Sequence, residues 1–265
     1  MNKISLQMYT LREHTKTIGE LDRTLSKLSE IGFGTLQYSV PDSFDTKEVK
    51  RLFESYHLKN DSVFADYKTL KSESTKVLAD SELFGTNYVR IGSMPVENTY
   101  SADGYREFAH FLNDAAGELK RNGKKLLYHF HAFEFERFGN ECGIDIFLDE
   151  TDPEVIDIIP DTHWIHSGGK DVVPFFEGHK DRFCYIHVKD YRIGGRADLL
   201  EGHPVMFAPV GEGNLDWESI LSWCKTHGVL SYAIEQDSCY GRDEFECVKS
   251  SFDFLKGFGI DQDEN

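Results

Sequence analysis

Lys124-Lys-Leu-Leu-Tyr-His-Phe-His-Ala-Phe-Glu-Phe-Glu136 decides how this chain folds. Leu126 to Tyr128 is an apolar run suited to a buried strand, and it empties into His129, His131 and Glu134. Helix-like sequence flanks it on both sides. A parallel α/β sheet or barrel presents reactive groups in this way, at the C-terminal ends of its strands. Three later apolar runs end alike, at Asp161, His187 and Glu235.

Working outward, strand-like segments read at Lys3–Tyr9, Phe33–Tyr38, Leu58–Phe64, Asn87–Ile91, Lys125–Phe130, Val155–Ile159, Phe183–Val188 and Ser231–Ile234. Helices read between them, at Thr17–Ile31, Thr46–Tyr56, Tyr67–Phe84, Ser101–Arg121, Ile144–Glu150, Lys170–Gly178, Trp217–His227 and Asp243–Gly257. Ile18, Leu21, Leu25, Leu28 and Ile31 mark the first as amphipathic, and Gly32 ends it. Asp190–Asn214 reads as a long loop and Asp261–Asn265 as a frayed acidic tail. Eight alternating units within 265 residues are the size of a closed (β/α)₈ barrel, and no linker divides the chain. A single TIM-barrel domain over residues 1–265 is expected.

A formal net charge of −17 opposes binding to a nucleic-acid backbone, which needs a basic face. No run of eighteen apolar residues offers a membrane span, and Met1-Asn2-Lys3 leads straight into strand-like sequence. The expectation is a soluble cytoplasmic protein. The five cysteines form no C-x-x-C pair, as suits reduced thiols.

Taken singly, a polar residue at a strand end is more often a cap or a surface contact. A barrel, however, gathers its strand ends around one axis, so these groups converge. Carboxylates with imidazole suit a borderline divalent ion such as manganese, cobalt or zinc.

Four stretches carry a specific resemblance: Leu6-Gln-Met-Tyr-Thr-Leu-Arg12, Tyr128-His-Phe-His-Ala-Phe-Glu-Phe135, His187-Val-Lys-Asp190 and Val210-Gly-Glu-Gly-Asn-Leu-Asp-Trp217. With these the chain resembles the xylose isomerase-like TIM barrels, and among them the sugar phosphate isomerase/epimerase group. The resemblance implies a metal held by Glu134, Asp161, His187 and Glu235, with His129 or His131 as the alternative to Glu134. It implies manganese first, with cobalt, magnesium or zinc open. It also implies an isomerase or epimerase that abstracts a proton beside the carbonyl of a small carbohydrate. Glu134 and Glu235 would shuttle that proton, with His131 as a candidate base.

Substrate contacts are expected from His129, Lys189, Trp164, Gln7 and Arg90, although an exposed lysine, rim packing and core-edge bonding explain the last four equally well. Gly211-Glu-Gly213 reads as a turn into an Asp216 helix cap in preference to a phosphate cradle, because Glu212 repels a dianion. The same site permits β-elimination, hence a lyase on oxidised (keto) glycosides. An apurinic endonuclease fits the fold but not the charge, and a non-catalytic scaffold has no need of the acids. A homo-oligomer is left open.

Overall fold

The computed structural model describes residues 3–194 and 205–261. Its parallel strands are β1 (Ile4–Gln7), β2 (Thr35–Gln37), β3 (in two halves, Lys59–Asn60 and Val63–Phe64), β4 (Tyr88–Ile91), β5 (Lys125–His129), β6 (Ile156–Ile159), β7 (Tyr185–Val188) and β8 (Ser231–Ile234). Two hydrogen-bonded ladders make the ring. One runs β7-β8-β1-β2 to the first half of β3, the other from the second half of β3 through β4 and β5 to β6. Asp61 and Ser62, between the halves of β3, join the ladders on one side. On the other side the His187 N–H donates to the Pro160 carbonyl at 3.0 Å, and Asp161 bridges to His187. The barrel is therefore closed at two thin seams.

The side chain of Asn60 carries the ladder into the break. Its Oδ1 accepts from the Tyr38 N–H at 2.8 Å and its Nδ2 donates to the Tyr38 carbonyl at 3.1 Å. Strands β1, β6, β7 and β8 are buried along their whole length, as a sheet covered on both faces requires.

The covering helices are α1 (Ile18–Ile31), α2 (Thr46–Ser55), α3 (Tyr67–Ser72), α4 (Ser74–Phe84), α5 (Ala102–Arg121), α6 (Gly143–Glu150), α7 (Thr162–Ser167), α8 (Val172–Gly178), α9 (Trp217–Thr226) and α10 (Glu244–Gly257). In α1 the expected stripe is realised, with Leu21, Leu25 and Leu28 fully buried. Thr17 and Glu20 form a reciprocal capping box at its start, worth ~1 kcal/mol, and Gly32 closes it at φ 117°.

Four local expectations change. The helix read over Tyr67–Phe84 is two helices, because Glu73 leaves helical geometry at φ −136°. The loop read over Asp190–Asn214 holds an antiparallel hairpin pairing Asp190–Ile193 with Val205–Ala208; its residues 195–204 lie outside those described. The short helix α7 was not legible, having only one and a half turns. Asp261 is not frayed, since it accepts from the Lys3 and Ile4 N–H groups at 2.6 and 3.1 Å; the tail beyond it, 262–265, is outside the described residues.

Asp190 explains two of the quoted stretches. Its carboxylate accepts from the Gly211 and Gly213 N–H groups (both 3.0 Å), the Leu215 N–H (3.3 Å), its neighbour Tyr191 N–H (2.8 Å) and Trp217 Nε1 (2.6 Å). The amides that could cradle a phosphate are thus spent on a carboxylate of the chain itself. The segment is a turn held by Asp190, and Asp216 beyond it caps α9 through the Ser219 N–H.

Candidate metal centre and cavity

His129 at the end of β5, Asp161 just after β6, His187 on β7 and Glu235 just after β8 meet at the C-terminal face. Each offers a ligand atom, and these atoms lie within 4.8 Å of one another, all buried. Asp161 has two duties. Its Oδ1 accepts from the His163 and Trp164 N–H groups at 2.8 and 3.0 Å, which starts α7, while its Oδ2 faces His129 Nε2 at 3.5 Å. His187 Nδ1 stands 2.7 Å from Glu235 Oε2.

The His187 tautomer follows from its other partner. Gln37 donates its amide NH₂ to Asp61 at 3.4 Å, which turns its Oε1 toward His187 Nε2 at 2.8 Å. An amide oxygen only accepts, so His187 is protonated on Nε2 and aims the Nδ1 lone pair at Glu235. Two acceptors 2.7 Å apart repel unless a cation or proton lies between them. Three carboxylates, Asp161, Glu235 and Asp237, also face a single ammonium, Lys189. Donor set, geometry and charge balance all fit a divalent cation.

Nothing in the sequence singles out Gln37 and Asp61, because strands two and three read as ending in Tyr38 and Phe64. Gln37→Leu should free the imidazole to turn and weaken metal binding by roughly ten- to a hundredfold. A metal-competition titration measures the affinity, and the ¹⁵N shifts of His187 report the tautomer. Unchanged affinity with an unchanged tautomer would refute the assignment.

The structure sets Glu134 apart from the cluster. The short turn Phe133–Phe135 folds its carboxylate inward, where Oε1 accepts from the Tyr128 hydroxyl at 2.5 Å and Oε2 from the His131 N–H at 2.8 Å. It is fully buried and does not line the cavity. Burial pushes its carboxyl up to about 7, despite those two bonds. His129 stands where the resemblance had put Glu134.

A cavity of about 630 Å³ opens over the cluster. Gln7, Arg90, His129, His131, Trp164, His187, Lys189 and Glu235 all line it, and so do Tyr9, Phe64, Asp66 and Asp237, which the sequence reading had not placed there. Lys189 is not an exposed lysine. It is 1% exposed, with its ammonium 2.7 Å from Asp237 and 3.7–3.8 Å from Glu235 and Asp161. Burial pulls it down, but the three acids outweigh burial and hold it above the ordinary lysine range.

The same competition acts on the acids. Burial raises Asp161 and Glu235, yet Lys189 above all, with His129 beside it, holds both below the ordinary carboxylate range. Burial lowers His131 to about 3, so it is a neutral imidazole, and its Nδ1 has no partner among the described residues. Arg90, 2% exposed, falls to about 10 through burial; it donates to Ser39 at 3.3 Å and keeps its Nε unpaired. Gln7 turns its oxygen to the Tyr9 N–H at 3.2 Å. Cys239 is buried away from the cavity lining.

The pattern that defines the xylose isomerase-like TIM barrel family matches residues 25–256. The chain belongs to that family. Inosose dehydratase of Geobacillus kaustophilus is 26% identical over 234 residues, which cover 76% of this chain and 74% of that protein. A sugar phosphate isomerase/epimerase from Parabacteroides distasonis superposes with a TM-score of 0.78 at 20% identity, covering 99% and 96% of the two chains. The IolI protein, solved with a bound zinc atom, gives a TM-score of 0.70 at 15% identity over 98% and 99%. These structural likenesses carry the fold, and the family's members include isomerases, epimerases and dehydratases of small sugar-like molecules.

Proposed function

We propose that this protein is a metal-dependent lyase that removes a proton beside the ketone of a polyhydroxylated ring and expels the β-oxygen. The observation that carries this reading is the placement of Glu134 outside the cavity. Epimerisation by two carboxylates needs an acid–base group on each face of the substrate ring, and only Glu235 of the two glutamates lines the cavity. Elimination needs acid–base chemistry on one side only.

The ion would be held by His129, Asp161, His187 and Glu235, with manganese expected first. Once bound, it would supply Lewis-acid polarisation of the ketone oxygen. The chain supplies the rest. His131, a neutral imidazole that lines the cavity, takes the proton from carbon. The C–H electrons form the new C=C bond, the β C–O bond breaks, and the leaving oxygen receives the proton from His131. Nothing is oxidised or reduced. Lys189 stays protonated and meets the charge developing on substrate oxygen. Arg90 and Gln7 orient the ring hydroxyls, and Trp164 packs against its face.

The 26% identity to an inosose dehydratase, named for the same reaction class, supports the reading. Isomerisation or epimerisation is the second reading, because the same metal cluster and first proton transfer serve it.

The test is one NMR experiment in D₂O with a keto-cyclitol or keto-glycoside, with and without added metal. Elimination yields an unsaturated ketone and a released water or alcohol. Isomerisation yields a labelled product of unchanged formula and would replace the proposal by the second reading. Full turnover in metal-free protein without label would refute both. His131→Asn should lower kcat by about 10²–10⁴.

A further inference from the structure

Arg90 is a buried cation with no anion in contact. It stands on β4, is 2% exposed and lines the metal cavity. Among the described residues its guanidinium makes one hydrogen bond, from Nη2 to Ser39 Oγ at 3.3 Å, and no ion pair. Its Nε is enclosed, but Nη1 is neither bonded nor enclosed, and so opens on the cavity. The Phe64 ring, 5.3 Å away, flanks the group.

Burying a guanidinium is costly unless a partner charge comes with it. The acids nearby are engaged elsewhere. With a divalent ion bound, that ion and Lys189 together match the charge of Asp161, Glu235 and Asp237. Asp61 accepts from the hydroxyls of Ser5, Ser62 and Ser231 at 3.3, 2.8 and 3.2 Å, and burial pushes its carboxyl up. Asp66, on the cavity wall, is exposed and caps α3 through the Thr69 N–H at 2.7 Å. Asp61 and Glu235 attract Arg90 only from beyond contact, and burial outweighs them. At Arg90 the cavity keeps a positive charge that nothing in contact cancels.

Ser39 adds a donor. It lies just after β2 and lines the cavity. Its oxygen accepts from Arg90, and its own O–H has no acceptor among the described residues. Arg90 and Ser39 thus stand on the β2–β4 half of the barrel mouth, whereas the metal cluster is built from β5 to β8.

We propose that the substrate ring carries a carboxylate, which Arg90 Nη1 and the Ser39 hydroxyl receive across the cavity from the metal cluster. The proposal rests on the elimination reading above and narrows its substrate to a ring acid. One carboxylate oxygen accepts from the guanidinium and the other from the hydroxyl, while the ketone at the opposite edge of the ring faces the cluster. A ring hydroxyl alone does not call for a buried charge, because a neutral donor would serve it at lower cost. A phosphate ester would bring a second negative charge to a single cation. A carboxylate matches both the charge and the two donors.

The test compares D-glucuronate with D-glucuronamide, its neutral isostere, and with D-glucose 6-phosphate, by calorimetric titration of the metal-loaded protein. Glucuronate should bind roughly ten- to a hundredfold tighter than the amide, and tighter than the phosphate. Arg90→Met should bring the acid-to-amide ratio close to one, and Ser39→Ala should lower it about fivefold. A native ratio near one, binding of neither probe, or tighter binding of the phosphate would overturn the proposal. So would a ratio that survives Arg90→Met, since the carboxylate would then sit on the metal. Where that variant does not fold, a ratio untouched by Ser39→Ala overturns it instead. Binding is read without turnover, so the readings separate. A carboxylate advantage without metal-dependent ketone turnover removes the lyase and keeps the acid site; turnover without the advantage removes the acid site alone.

Discussion

Asp190→Ala should lower stability by roughly 4–5 kcal/mol, although the residue does not line the metal cavity. Five donors converge on its two buried oxygens, and hydrogen bonds to a charged group contribute ~1.5–3 kcal/mol each. The bonds are not additive, and water will reach some of the freed amides, which keeps the total well below the simple sum. Urea unfolding followed by circular dichroism measures the loss. Asp216→Ala is the control, an exposed helix cap worth ~1 kcal/mol. Equal effects of the two substitutions would mean that the loop does not depend on Asp190. Gly213→Ala should also be costly, because a Cβ there would lie 2.2 Å from Asp190 Oδ1 and 2.3 Å from the Tyr191 carbonyl.

The second large effect separates Glu134 from the cluster. His129→Ala, Asp161→Ala, His187→Ala and Glu235→Ala should each weaken metal binding by more than about a hundredfold, whereas Glu134→Gln should leave it nearly unchanged. Metal analysis after gel filtration checks both. Metal loss in Glu134→Gln with retention in His129→Ala would restore Glu134 as the ligand.

Glu134→Gln has a further signature in pH. The carboxyl titrates at about 7 in the folded chain against an ordinary 4.5. Between those values the folded state holds a proton that the unfolded state has released. Stability therefore falls as pH rises from 4.5 through 7, by up to about 3 kcal/mol. Glu134→Gln should remove this slope, gaining most on the native protein above pH 7. Parallel stability–pH curves for the two proteins would refute the buried-acid assignment.

Asp161, His187 and Glu235 were legible because each is the first ionisable group beyond an apolar strand, and barrel closure brings such groups together. At β5 the rule named His129 as well, but the resemblance favoured Glu134. Sequence spacing could not show that Phe133–Phe135 makes one tight turn, which carries the acid in under Tyr128 instead of back over the axis. Gln37 and Asp61 were illegible for a different reason. Their link passes through the barrel interior, and it depends on β3 breaking at Asp61, a break that local propensity does not encode. The hairpin after Asp190 was hidden because its paired strands are four residues each and widely separated in sequence.

The two ladders of the barrel contribute equally to the cluster. His129 and Asp161 belong to the ladder that ends at β6, while His187 and Glu235 belong to the one that begins at β7. Between those ladders the backbone offers little more than the His187–Pro160 bond and the Asp161 bridge. An ion held by all four side chains would be a rivet through this join, which the chain otherwise fastens with the His187–Pro160 bond and the two bonds between Thr162 Oγ1 and the Lys189 backbone. Its departure would release a mechanical constraint as well as a reagent. The metal-free barrel would then open first between β6 and β7, so that loading the ion finishes the fold and readies the site in one event.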